Sequence, residues 1–143
     1  MKKIQIKWLK TYNVIICAVL GALGLTVLSC GVTYGTPSAD FIIQGKVTDS
    51  QNNQPVKDIQ VTVSWLEVST DAEGKYKVVI NDDFPESKIF PIHFKDIDGD
   101  LNGAYVDLDT IVEFKAPKFT DGDKHWYKGK TTKEFNVQLN PKE

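Results

Sequence analysis

From Asp40 to the C-terminus the chain contains no stretch in which apolar residues recur at helical spacing, and this feature most restricts what it can fold into. Short runs of β-branched and aromatic residues alternate with polar ones instead. Ile59, Val61, Val63 and Trp65 are interleaved with Gln60, Thr62 and Ser64, the period of two that a half-buried strand requires because successive side chains point to opposite faces. The candidate strands are residues 41 to 43 with Val47, 56 to 65, 76 to 80, 89 to 94, 111 to 114 and 135 to 139. Segments 49–55 (DSQNNQP), 71–74 (DAEG), 81–85 (NDDFP), 96–103 (DIDGDLNG) and 120–123 (TDGD) separate them, rich in residues that close turns. Roughly seven short strands at this spacing predict an all-β fold, a single seven-stranded antiparallel sandwich of two sheets. Ile59, Val61, Val63 and Trp65, with Tyr76, Val78 and Ile80 from an adjacent strand, are expected to supply the inner face of one sheet.

The segment before Asp40 obeys different rules. Lys2, Lys3, Lys7 and Lys10 precede an uncharged, mostly apolar run from Val14 to Leu28, and a basic region followed by such a run reads as a secretory signal. The run ends in Val27-Leu28-Ser29-Cys30, which resembles the lipobox of bacterial lipoproteins. That resemblance implies that the Cys30 thiol is diacylglycerated, that residues 1–29, with any signal helix they form, are removed, and that the new amine is acylated with a palmitate-like chain. The competing reading is an uncleaved single-pass helix, since residues 12 to 32 are long enough to span a tilted bilayer. Several acyl chains on one residue would give firm anchoring, at about 0.8 kcal/mol per buried methylene. Residues 30–39, with two Gly, a Pro and several hydroxyl residues, read as a flexible tether reaching at most about 35 Å from the membrane, and residues 40–143 as the folded domain.

Charge narrows the partners. The chain has no Arg, and from Cys30 onward thirteen Lys face nineteen acidic residues, a net of −6. A nucleic-acid binder needs a basic stripe to neutralise phosphates, so that class is disfavoured. Only two cysteines are present, Cys17 and Cys30, and neither lies in the predicted domain, which removes the disulfide-scaffold class.

Two resemblances extend this reading. Residues 44 to 80 resemble the opening half of a carboxypeptidase-regulatory-like, or transthyretin-like (prealbumin-like), sandwich: Gly45-Lys46-Val47-Thr48-Asp49, Gln54-Pro55-Val56 leading into Ile59-Gln60-Val61-Thr62-Val63, then Thr70-Asp71-Ala72-Glu73-Gly74-Lys75-Tyr76. The whole chain is similar to the radical-SAM-associated lipoproteins of Gram-negative gut bacteria through Cys30, Tyr34-Gly35-Thr36-Pro37, Ala39-Asp40-Phe41, Phe94-Lys95-Asp96-Ile97-Asp98-Gly99, Asn102-Gly103, Gly122-Asp123, Trp126-Tyr127 and Gly129. This second resemblance implies a partner or maturation enzyme of the radical-SAM class, with the chain as its substrate or companion. Placement in the outer membrane, facing the periplasm, is expected because Gly31-Val32-Thr33-Tyr34 carries none of the acidic residues that resemble a surface-export signal.

Catalytic chemistry is sparse. The two histidines stand 32 positions apart, His93 in a candidate strand and His125 in a Lys-flanked loop; no nucleophile elbow, zinc-protease, phosphate-loop or dinucleotide motif occurs, and an enzyme is not expected. Trp126 and Tyr127, with Lys124, Lys128 and Lys130 around them, form a candidate contact surface, the bland alternative being that one ring covers a sheet edge and the other caps a loop. Trp65 is expected in the core.

One loop has ion-binding spacing. Asp98, Asp100 and Asn102 occupy positions 1, 3 and 5 of a twelve-residue calcium loop, Gly103 the sharp turn, Ala104 the carbonyl position and Asp109 position 12, with Asp96 able to lend an oxygen. The alternative is a pair of plain turns at Asp98-Gly99 and Asn102-Gly103 without Ca²⁺. Function is thus expected to be that of a membrane-anchored, non-catalytic binding or structural module of the cell envelope.

Overall fold

The computed structural model describes Tyr12, Ile15 and residues 35 to 143. The signal-peptide reading and Cys30 therefore fall outside the described residues. From Gly35 onward the chain is all-β, with nine strands and no helix. These are β1 (Ser38–Asp49), β2 (Ile59–Val63), β3 (Leu66–Ser69), β4 (Lys75–Asp83), β5 (Lys88–Asp96), β6 (Leu108–Phe114), β7 (Thr120–Asp121), β8 (Tyr127–Glu134) and β9 (Val137–Leu139). One sheet runs β4-β1-β8-β7 with β9 also beside β1, and the other runs β3-β2-β5-β6.

Alternation places the core between the sheets. In β2 Ile59, Val61 and Val63 are buried while Gln60 and Thr62 are not, and β4 repeats the pattern with Tyr76, Val78 and Ile80. These two strands lie in different sheets, so their apolar sets face each other across the core instead of sharing one inner face. Phe41 of β1 anchors one end of it, with Phe90, Phe114 and Phe119 packed edge-on at centroid distances of 5.4, 5.2 and 5.5 Å. Tyr76 and Phe94 make the corresponding edge-on pair at the other end, 5.6 Å apart.

Three expectations change. Trp65 is 77% exposed, because Val63 pairs with Leu66 and closes a two-residue turn in which Ser64 takes a positive φ of 56°. The alternation continues through Trp65 in sequence, but the strand has already ended, so parity no longer fixes its face. The sheets are not wholly antiparallel, since β8 and β9 run parallel to β1. β6 finishes at the end of the sandwich where β1 begins, and a chain that crosses to the other sheet there must start β8 alongside the start of β1. The strands number nine where roughly seven were expected, the six candidate segments being joined by the unexpected β3, the two-residue β7, and β8, whose sequence YKGKTTKE has no apolar alternation and is held by main-chain pairing to β1 and β7.

The passage from β8 to β9 depends on one glycine. Phe135 bridges the two strands, its N–H donating to Gln44 O at 2.8 Å and its carbonyl accepting from the Tyr76 hydroxyl at 2.6 Å. A Cβ on Gly45 would lie 1.9 Å from that carbonyl oxygen, so only glycine admits the crossing chain.

Candidate functional site

The loop between β5 and β6 does not assemble the twelve-residue calcium arrangement. Asp96 closes it from within: its Oδ2 accepts Tyr105 N at 2.8 Å and its Oδ1 accepts Asp98 N at 3.3 Å. Asn102 donates to Asp58 Oδ2 at 3.3 Å and also to Asp98 Oδ2. The Ala104 carbonyl accepts Lys142 N at 2.8 Å from the C-terminal segment, and Asp100 is exposed. Asp109 has left the loop altogether. It sits in β6 opposite His93, three residues along β5 from Asp96, or about 10 Å. The odd spacing also puts Asp109 and Asp96 on opposite faces of the sheet. Among the described residues no group of three His, Cys, Asp or Glu side chains is placed to hold a metal ion. Sequence spacing failed here because a helix would curl position 12 back over the loop, whereas a strand carries it away.

Asp109 and His93 form an exposed cross-strand pair through Oδ1 and Nδ1, with the Asp109 side chain 84% accessible. Thr62 completes the row across β2, β5 and β6. Such a pair on an open sheet face is a cross-strand polar contact.

Trp126 and Tyr127 are neighbours in sequence with different surroundings. Tyr127 donates its hydroxyl hydrogen to Asp40 Oδ2 at 2.8 Å, and Asn81 Nδ2 donates to Asp40 Oδ1 at 2.8 Å, so Asp40 ties β8 to β4 across β1. The hydrogen bond to Asp40, followed by burial and the charges of Asp40 and Asp121, holds the Tyr127 phenol above its ordinary pKa. Trp126 is 51% exposed, and its indole carbons would stand 3.2 Å from a Cβ on Gly35. Its carbonyl accepts Ser38 N at 2.8 Å. The pair therefore divides into a structural phenol and an indole that leans on the incoming chain while leaving one face open.

A broad concavity lies elsewhere, on the outer face of the β4-β1-β8 sheet. It is a groove of about 1120 Å³ whose walls include Gln44 and Lys46 of β1, Lys75 and Lys77 of β4, and Glu134 and Asn136 at the β8–β9 passage. Register builds it: Lys46 pairs directly with Lys75, and Gln44 with Lys77 on one side and Glu134 on the other. Like charges set opposite one another are destabilising in a sheet, and here Lys75 is relieved by Glu73, whose hydrogen bond and charge raise the lysine pKa. Among the described residues Lys46 and Lys77 take part in no ion pair. The sequence reading missed this cluster. Its only signal was polar residues at alternate positions of two strands, which become one surface only when the register is known.

No protein-family model and no curated protein matches the chain. Among solved structures it is similar to a protein of unknown function from Bacteroides fragilis NCTC 9343, provisionally described as membrane-associated, at 19% identity and a TM-score of 0.46. That similarity covers 75% of this chain, which spans 30% of the other.

Proposed function

We propose that the chain is a membrane-anchored lipoprotein of the bacterial cell envelope, held in the outer membrane through acylated Cys30 and facing the periplasm, whose sandwich is a non-catalytic binding module. The observation that carries the binding role is the groove on the β4-β1-β8 face. Its ammonium groups, Lys46 and Lys77, project from paired strands that cannot shift independently, and its amides, Gln44, Asn136 and Gln138, can both donate and accept. The groove also holds the carboxylates of Glu134 and of Asp71, whose Oδ1 already accepts the N–H groups of Glu73 and Lys75, and the mixed lining suits a hydroxyl-rich ligand whose carboxylates meet Lys46 and Lys77, an acidic oligosaccharide in chemical class. The sandwich type is read as transthyretin-like. What supports this is the strand tally: with the two-residue β7 set aside and β8 and β9 counted as one strand interrupted at Phe135, seven remain, three on one sheet and four on the other.

Calorimetric titration with oligogalacturonate tests the groove. Wild type gives saturable heat, and Lys46→Glu with Lys77→Glu abolishes it; no heat from wild type overturns the binding role. Intact mass of protein from its native membrane tests the anchor. Signal removal plus acyl chains at Cys30 supports it, whereas an additional mass mapped within residues 35 to 143 supports a substrate of a radical-SAM maturation enzyme.

A further inference from the structure

We infer that the end of the sandwich where the chain arrives from Cys30 is a lipid-facing surface, shaped to lie on an anionic headgroup layer; this rests on the acylated anchor proposed above. Strand pairing gathers that end from separate parts of the sequence. Ser38 at the start of β1 is paired with Asp83 at the end of β4 and with Tyr127 at the start of β8, and Lys88 at the start of β5 pairs with Phe114 at the end of β6. The Phe41 ring, meeting both Phe90 and Phe114, places the corresponding end of the second sheet on the same side. The loops there are β4–β5, β6–β7 and β7–β8, and the β2–β3 turn points the same way, since β2 runs from Ile59 opposite Asp96 to Val63 opposite Ile92.

The arriving chain is pinned. Ser38 N donates to Trp126 O and Phe84 N donates to Pro37 O, each at 2.8 Å, while the Trp126 ring leans on Gly35. Residues 35 to 37 of the expected tether are thus held against the domain, and five residues from Cys30 to Gly35 can span at most about 18 Å fully extended. An acylated Cys30 thus keeps this end within reach of the headgroups and leaves the opposite end far from them.

The chemistry of the two ends differs in the direction that placement needs. Lys115, Lys118 and Lys124 are exposed in the near loops and Lys128 at the start of β8, and among the described residues none of them is in an ion pair. The acids at this end are Asp82 and Asp121, paired with Lys88 and Lys130, together with Asp83, Glu86 and Asp123, the last accepting the N–H groups of His125 and Tyr127 at 2.7 and 3.1 Å. The far loops carry Asp58, Asp71, Glu73, Asp98, Asp100 and Asp107 against Lys57 and Lys142. Lysines outside ion pairs slightly outnumber such acids at the near end while acids dominate the far loops, so an anionic layer favours the near end over the far one.

Two aromatic rings complete the surface. Trp126 presents its open face, and Phe84 is 56% exposed with a φ of 57°, a conformation that bulky residues avoid. Its N–H is held by Pro37, and its carbonyl accepts Glu86 N at 2.8 Å, so the backbone keeps Phe84 in this strained state with its ring outward. Aromatic rings beside lysines at one end of a tethered domain have the composition of a membrane–water interface.

The test uses the full chain, processed in its host, with acylation verified by intact mass. The protein is reconstituted into vesicles of phosphatidylcholine with or without phosphatidylglycerol, the acyl chains brominated. Trp65→Phe leaves Trp126 as the domain's reporter, and Leu101→Trp in a chain with Trp65→Phe and Trp126→Phe places the control in the exposed far loop between β5 and β6. Trp126 emission is expected to shift to the blue and be quenched when phosphatidylglycerol is present, with the Leu101→Trp reporter unaffected. Each lysine reversed to glutamate at 115, 118, 124 and 128 lowers the docked-to-undocked ratio by roughly fivefold or more. Phe84→Gly, which relieves the backbone and so keeps the fold, also reduces the quenching. An acylated protein whose Trp126 stays unquenched overturns the lipid-facing surface and leaves the anchor standing; a mass without acyl chains removes the anchor and the inference with it.

Discussion

Tyr105 donates its hydroxyl hydrogen to Asp49 Oδ2 at 3.0 Å, and both residues are buried at the far end of the sandwich. The other oxygen of the same carboxylate accepts Gln51 N at 2.7 Å and Asn52 N at 3.3 Å. One side chain thereby shapes the turn after β1 and fastens the long β5–β6 loop to it. Tyr105→Phe leaves a shielded carboxylate oxygen without its donor and is expected to cost about 1 to 3 kcal/mol. Urea melts check this, and a loss of only a few tenths would show that solvent replaces the hydroxyl.

Alkaline pH is the direction in which the domain should lose stability. Burial holds the Tyr76 phenol far above its ordinary pKa; Tyr105 is raised by burial first and then by its bond to Asp49, and Tyr127 first by its bond to Asp40. Lys75 and Lys130 are raised by hydrogen bonds to Glu73 and Asp121. In each case the folded chain keeps its proton to higher pH than the unfolded one. The contribution is therefore complete below the unfolded values, about 10 for the phenols, and disappears as pH rises through the folded ones. Unfolding free energy is expected to fall above about pH 10, with a shallower slope in Tyr76→Phe. Identical slopes in the two proteins would assign the loss to other groups.

What could be read in advance was the inner face of each strand. Ile59, Val61 and Val63, then Tyr76, Val78 and Ile80, are buried because a period of two leaves a strand one apolar side to cover. Which sheet each strand joins was hidden, since parity says nothing about partners. β8 escaped notice because Gly129 is its only buried residue and its hold is the main-chain ladder to Phe41, Ile42 and Ile43. The groove escaped for the same reason, because Lys46 and Lys75 become neighbours only through a pairing between positions 29 apart.

Calcium should leave the melting temperature unchanged. Asp109 lies on the opposite face of the sheet from Asp96, and the Ala104 carbonyl is engaged by Lys142, so the oxygens that the spacing promised do not converge. A ligand raises stability only by binding the folded state more tightly than the unfolded one. Thermal melts in excess chelator and in millimolar Ca²⁺ are expected to coincide, and a rise in calcium that Asp98→Asn abolishes would restore the site.

Two glycine substitutions separate space from backbone conformation. At Gly45 an alanine Cβ would sit 1.9 Å from the Phe135 carbonyl oxygen and 2.6 Å from its carbon, and both are main-chain atoms that cannot swing aside. To accommodate it the β8–β9 passage must lift from β1, which also breaks the 2.6 Å bond from the Tyr76 hydroxyl to that carbonyl. The expected cost of Gly45→Ala is about 3 kcal/mol or more. Gly99, in the β5–β6 loop, has open space around it but a φ of 66°, so Gly99→Ala meets only the left-handed penalty of about 1 to 2 kcal/mol. Urea melts of both variants should therefore rank Gly45→Ala well below Gly99→Ala. Equal losses would mean that the passage at Phe135 yields easily and that β9 is only loosely held to β1.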